Sequence, residues 1–159
     1  MGHIQGEVWL LDTGVDHHMS PYAWHFRELG ISPLNCVDLA VEGHSLPVLG
    51  QGTVRLSSVG SSFDLPGVQY VPGLSAPLLS VWQLERQGYT VVLSESEHAV
   101  LDRSGVVVLE VERLTTCEGG GVYYLPYRAV DWSQACLSCG PAGRAHAVSG
   151  ASTRRATGD

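Results

Sequence analysis

A chain of 159 residues, 44% of them hydrophobic, is long enough for about one domain with a modest core. A net charge of −7 and a pI near 5.4 leave no basic footprint, which counts against nucleic-acid binding. No apolar run approaches the roughly 20 residues of a membrane span, the first residues lack the charged and apolar regions of a secretory leader, and Gly6 breaks the myristoylation pattern begun by Met1-Gly2.

Residues 1–6 read as a linker. Val8-Trp9-Leu10-Leu11 then reads as a strand buried on both faces. Asp12-Thr13-Gly14 ends it. A carboxylate at the mouth of a buried strand is costly unless it is hydrogen-bonded or used in chemistry, and Gly14 lets backbone approach closely or turn. Taken alone, such a tripeptide most often just closes a strand. Asp12, Asp16, His17 and His18 invite a metal reading, but neighbours on an extended chain face opposite ways and no helical ligand pattern supports them. No metal site is assigned. Residues 21–30, aromatic-rich with a terminal glycine, read as a short helix or a packed loop.

Val37, Leu39 and Val41 alternate with Asp38 and Ala40, and Glu42-Gly43-His44-Ser45 is a turn by composition. Leu46-Pro47-Val48-Leu49 returns, so the segment is a β-hairpin with a small tip. Pro47 restricts it to an edge, partly free of the sheet. It is either a plain surface loop or a lid over a site. Gly50 and Gly52 precede a strand over residues 53–57, and a Ser/Gly loop follows over 57–62. A further strand over 63–71 is interrupted at Pro66-Gly67. Ser80 is placed to cap a short helix that Gly88 ends. Strands over 89–93, 99–101, 106–111 and 122–125 follow, with turns at 102–105 and 118–121. Many short strands with one short helix mean an all-β barrel or sandwich. The periodicity collapses after about Arg128, and residues 140–159 read as disordered or linker.

Several segments occur in an order that matters. They are Trp9-Leu-Leu-Asp-Thr-Gly14, His17-His18-Met19, Leu46-Pro-Val48, Gly50-Gln-Gly-Thr-Val-Arg-Leu56, Val68-Gln-Tyr-Val-Pro-Gly-Leu74, Leu78-Leu-Ser-Val-Trp-Gln-Leu84 and Gly88-Tyr89. Together they resemble the protease region of copia-type retrotransposon Gag-Pol polyproteins. The resemblance implies a small retropepsin-like closed β-barrel with a flap hairpin and one short helix, followed by extra β-hairpin strands. The implied division is a protease core over 7–88, a hairpin extension similar to the pre-integrase region over 89–127, and a tail over 128–159. In that family Asp12 matches the catalytic aspartate, Thr13 the hydroxyl bracing two active-site loops, and Gly14 the glycine beside it. The tip residues Glu42, Gly43, His44 and Ser45 match the substrate-binding flap, and Leu78-Leu79-Ser80 the two apolar residues and the small one before the C-terminal helix. Val15 stands where the family usually has alanine.

Cys136-Leu-Ser-Cys139 resembles the end of an integrase zinc-binding segment. The two histidines such a segment needs are missing between Tyr127 and Cys136, so a tetrahedral zinc site is not expected. A zinc-dependent nucleic-acid module is disfavoured on the same ground. The four cysteines, Cys36, Cys117, Cys136 and Cys139, are too few and scattered for a secreted disulfide framework, so an intracellular, cytoplasmic setting is expected.

The resemblance implies an aspartic endopeptidase that cleaves polyprotein peptide bonds without a cofactor. There is one Asp-Thr-Gly, and Asp102-Arg-Ser-Gly105 reads as a hairpin turn, so activity requires a homodimer that pairs two copies of Asp12. The alternative is a retrotransposon-derived β-barrel that no longer cleaves and serves as a structural or interaction module.

Overall fold

The computed structural model describes residues 8–40, 42–58, 61–130 and 132. In chain order the first elements are β1 (Trp9–Asp12), β2 (Met19–Ser20), a single 3-10 turn (Ala23–His25), β3 (Phe26–Gly30), β4 (Cys36–Asp38), β5 (Ser45–Pro47), β6 (Gly50–Ser58), β7 (Ser61–Tyr70) and β8 (Leu78–Ser80). The helix α1 (Val81–Arg86) follows. The remaining strands are β9 (Thr90–Leu93), β10 (His98–Leu101), β11 (Val107–Glu110), β12 (Glu112–Thr115), β13 (Gly121–Leu125) and β14 (Arg128–Ala129).

The all-β expectation holds, with one short helix. Nine strands form the main sheet, in the order β12-β13-β1-β8-β2-β7-β6-β14, with β3 also on β6. β9, β10 and β11 form a three-stranded sheet, and β4 with β5 a two-stranded one. Among the described residues the two ends of the main path, β12 and β14, do not pair, so no backbone ladder closes the barrel that the resemblance implies. The outer strand β12 carries Glu112 and Arg113, charges of the kind that keep an edge unpaired.

The β6–β7 hairpin is the longest ladder. Val54 and Leu56 on β6 and Leu65 and Val68 on β7 are fully buried. The register slips between Gly52 and Val54, a bulge that bends the strand. Gly52 is required there. A Cβ at that position would lie 1.9 Å from the Glu28 carbonyl oxygen on β3. The main core joins these residues to Trp9, Phe26, Leu79, Leu84, Leu125 and Tyr127, and takes Val100 and Leu109 from the three-stranded sheet. A smaller core of Met19, Val37, Val48 and Val71 lies under the β4–β5 hairpin.

Local expectations differ from the structure in three places, and one strand, Glu112–Thr115, lies in a segment to which they assign no element. Within residues 21–30, expected as a short helix or a packed loop, Ala23–His25 form the 3-10 turn and Phe26–Gly30 form β3, because Phe26, Leu29 and Gly30 pair along a free edge of β6. The expected loop over 57–62 is largely strand, since β6 runs to Ser58 and β7 starts at Ser61. Glu112–Thr115 is a strand because it pairs along β13, whose partner side supplies the order that its own polar sequence does not. Residues 128–130, assigned to the tail, dock on β6: Arg128 and Ala129 pair with Ser57 and Leu56, and the Val130 N–H donates to the Arg55 carbonyl at 2.8 Å. Cys136 and Cys139 lie outside the described residues.

Candidate functional site

Asp12 is the last residue of β1, and its surroundings follow from how β1 is held. β8 runs parallel to β1, pairing Leu10 with Leu78, Leu11 with Leu79 and Asp12 with Ser80. On its other edge β8 meets β2, antiparallel, through Leu78 and Met19. The chain therefore leaves β1 at Asp12, loops past the end of β8 and returns as β2 on the far side. Residues 13–18 form that loop.

Three side chains fasten it. The Ser80 hydroxyl donates to the Val15 carbonyl at 2.6 Å and accepts the Gln83 N–H at 3.0 Å, so one oxygen ties the loop to the first turn of α1. This is the cap expected of Ser80, with a second role that its sequence position did not reveal. The Gln83 side-chain oxygen accepts the His18 N–H at 2.7 Å. The His18 ring Nδ1 accepts the Ser80 N–H at 3.0 Å, and the His18 carbonyl accepts the Gln69 N–H of β7 at 2.8 Å. His18 and Ser80 are both completely buried. Burial lowers the His18 imidazole to about 4, the Gln87 side chain opposing the shift and His17 adding to it.

Within the loop the Gly14 N–H donates to Asp12 Oδ1 at 2.7 Å. A Cβ on Gly14 would sit 3.2 Å from that same oxygen, so glycine leaves the carboxylate room. Thr13 and Gly14 are exposed, and Asp12 is half-buried. Val15 packs with the small core, as does Leu46 of β5. The hairpin that carries Glu42, Gly43, His44 and Ser45 is thus linked to the Asp12 loop through that core. Its tip is exposed, and the Leu39 N–H donates to the His44 carbonyl at 2.9 Å where the strands close. Asp102 is a turn residue: its carboxylate accepts the Ser104 N–H at 2.8 Å and the Val106 N–H at 3.0 Å between β10 and β11. The Ser104 hydroxyl and these amides hold its carboxyl below the usual range.

Asp12, Asp16, His17 and His18 do not converge as metal ligands among the described residues. His18 instead spends one ring nitrogen on the Ser80 N–H. The importance of His18 and Gln83 was not legible locally. A histidine in a polar stretch and a glutamine on a short helix carry no periodic signal, and the hint lay in the place of His17-His18-Met19 in the ordered set. A cavity of about 540 Å³ lies elsewhere, lined among others by Val92, Glu97, His98, Leu101 and Glu110, and includes none of the residues above.

A carboxylate at the end of one strand, beside a loop that passes a second strand to reach a third, defines an all-β domain with one strand-end acid. The chain belongs to the family described as Pol polyprotein, beta-barrel domain, whose model matches residues 9–89, half of its length. It is similar to the retrovirus-related Pol polyproteins from transposons RE1 and RE2 of Arabidopsis thaliana. The identities are 29% over 107 residues and 33% over 79 residues. These matches cover 64% and 48% of this chain but 7% and 5% of the relatives, so the chain spans a small part of their length. No solved structure matches it significantly. The copia-type polyprotein resemblance read from the ordered segments therefore stands.

Proposed function

We propose that the chain is an aspartic endopeptidase of a retrotransposon polyprotein, acting as a homodimer in which two Asp12 carboxylates meet. The observation that carries this reading is the Asp12 loop. Its carboxylate is oriented by the Gly14 N–H, its base is fastened by Ser80, His18 and Gln83, and its exposed Thr13 is free to face a second copy. One such loop supplies one carboxylate, and a two-fold axis supplies the other. As holds for aspartic proteases in general, two carboxylates about 3 Å apart share one proton. The ionised Asp12 takes a proton from a water, the protonated Asp12 polarises the scissile carbonyl, the water attacks, and a proton passes to the leaving nitrogen. The hairpin tip, Glu42 to Ser45, closes over the peptide. The optimum lies on the acid side of neutral, and its alkaline limb belongs to the pair. The exposed free thiols of Cys36 and Cys117 fit a reducing, intracellular setting.

The test is peptide cleavage across a dilution series with the parent chain and Asp12→Asn. Specific activity is expected to rise with concentration until the dimer saturates. Asp12→Asn is expected to keep the fold, lose cleavage, and suppress the parent when mixed in excess. Constant specific activity on dilution, or substantial cleavage by Asp12→Asn, would sink the proposal. Absence of cleavage in a well-folded parent at every pH would leave the reading of a non-cleaving β-barrel module.

A further inference from the structure

We propose that His18 is a positioning residue for Asp12: its neutral ring, protonated on Nε2 and accepting the Ser80 N–H on Nδ1, locks the Asp12 loop to β8 and α1, and its protonation unlocks that loop and sets the acid limit of the site. The inference deepens the aspartic-protease reading and rests on it for the catalytic consequence alone.

The geometry leaves one assignment for the ring. The Ser80 N–H is a donor, so the Nδ1 that meets it at 3.0 Å must carry a lone pair. A proton on Nδ1 would set two donors against each other in a site closed to water. Nε2 is buried, and although the Gln87 side chain favours the charged ring, the cost of burial outweighs it and holds the ring neutral. The ring is not an isolated contact. Ser80 is opposite Asp12 in the β1–β8 register, and its hydroxyl holds the Val15 carbonyl. His18 itself closes the loop, with its N–H on Gln83 and its carbonyl on the Gln69 N–H. Loss of the ring contact therefore loosens the anchor facing Asp12 and the far end of its loop together.

The groups around the ring leave its titration to burial. β8 presents the Ser80 N–H, the end of α1 presents the side chain of Gln87, and β7 meets the backbone carbonyl through Gln69; none of these titrates. His17, beside it on the loop, is the titratable neighbour that acts on it, and it opposes a second positive charge. Protonation is consequently deferred to about pH 4, on the acid side where a paired-aspartate site works.

The experiment follows the imidazole and backbone nitrogens of the full ¹⁵N-labelled chain by NMR from pH 7.5 to 3.5. An Asp12→Asn background removes the nearby carboxylate titration and any self-cleavage. The His18 ring is expected as the Nε2–H form at neutral pH, and the Ser80 amide is expected to shift with the same midpoint as the ring. His18→Asn, whose side-chain oxygen takes the place of Nδ1 and does not titrate here, is expected to abolish that Ser80 transition. With Asp12 restored, His18→Asn is expected to move the acid limb of cleavage down by about one pH unit. A proton on Nδ1 at neutral pH overturns the proposal without any variant. A Ser80 transition that persists in His18→Asn, or acid limbs that coincide, overturns it as well. If the parent cleaves nothing at any pH, the protease reading fails, and the ring and Ser80 signals decide the positioning role by themselves.

Discussion

At the scale of single residues, Ser80 and His18 show how a buried polar side chain is stabilised and what it does in return. Burying a hydroxyl or an imidazole costs roughly 1–3 kcal/mol unless it is hydrogen-bonded. Ser80 meets that cost by donating to Val15 and accepting from Gln83 at once. Ser80→Ala removes both bonds and strands the Val15 carbonyl. It is expected to lower stability by about 1–3 kcal/mol, read as a lower urea midpoint at unchanged slope; an unchanged midpoint would show that the loop is held by other means. His18 gives a pH dependence with a definite sign. The folded chain keeps it neutral down to about pH 4, whereas the unfolded chain protonates it near 6.5. Between those values the unfolded state binds more protons. Stability is therefore full above pH 6.5, falls as pH drops through the window by about 3 kcal/mol, and changes no further from this group below it. Urea unfolding of the parent and of His18→Asn at pH 7 and pH 4 isolates the effect, and equal losses in the two chains would contradict it.

At the scale of elements, β1 is the strand on which the site depends, and both of its edges are taken. β8 lies along one edge and β13 along the other, with Trp9 opposite Leu125 and Leu10 opposite Tyr124. Trp9 is fully buried and stacks on the His25 ring with centroids 5.7 Å apart, while Leu125 is 1% exposed. Leu125→Ala is expected to cost about 2–5 kcal/mol, because the neighbours of a deleted core side chain collapse only partly into the space it leaves. Thermal melting measures that loss, and a melting temperature within a degree of the parent's would mean that β13 contributes little to the hold on β1. By contrast, the exposed Arg55–Asp64 pair across β6 and β7, at 2.7 Å, adds little to stability despite its good geometry, because solvent screens it.

At the scale of the molecule, the folding unit extends past the stretch that the family model covers. Residues 9–89 carry the Asp12 loop, the hairpin and α1. β13 nevertheless fills the second edge of β1, β14 docks on β6, and Val100, Leu109, Val111, Leu125 and Tyr127 all enter the main core. A chain ending at residue 89 would expose Trp9 and leave β1 with an open edge. It is expected to show no cooperative thermal transition by circular dichroism where the full chain shows one. A fragment of 89 residues melting as sharply and as high as the full chain would place the later strands outside the folding unit.

The sequence by itself determined what local signals encode. Alternation gave away the β4–β5 hairpin and β6, the composition of residues 42–45 the tip between β4 and β5, and Ser80 with Gly88 the limits of the helix. The Asp-Thr-Gly that ends a buried apolar run located the candidate acid. Tertiary structure alone decided the rest. Residues 26–30 became a strand because an edge of β6 was open to them, and Glu112–Thr115 because β13 offered a ladder. β13 reaches β1 across more than a hundred residues, and His18 turns from a candidate ligand into a buried brace because Ser80, 62 residues away, points its N–H at the ring. Strand pairing and burial depend on which partner arrives, and composition within a short window carries no record of that partner.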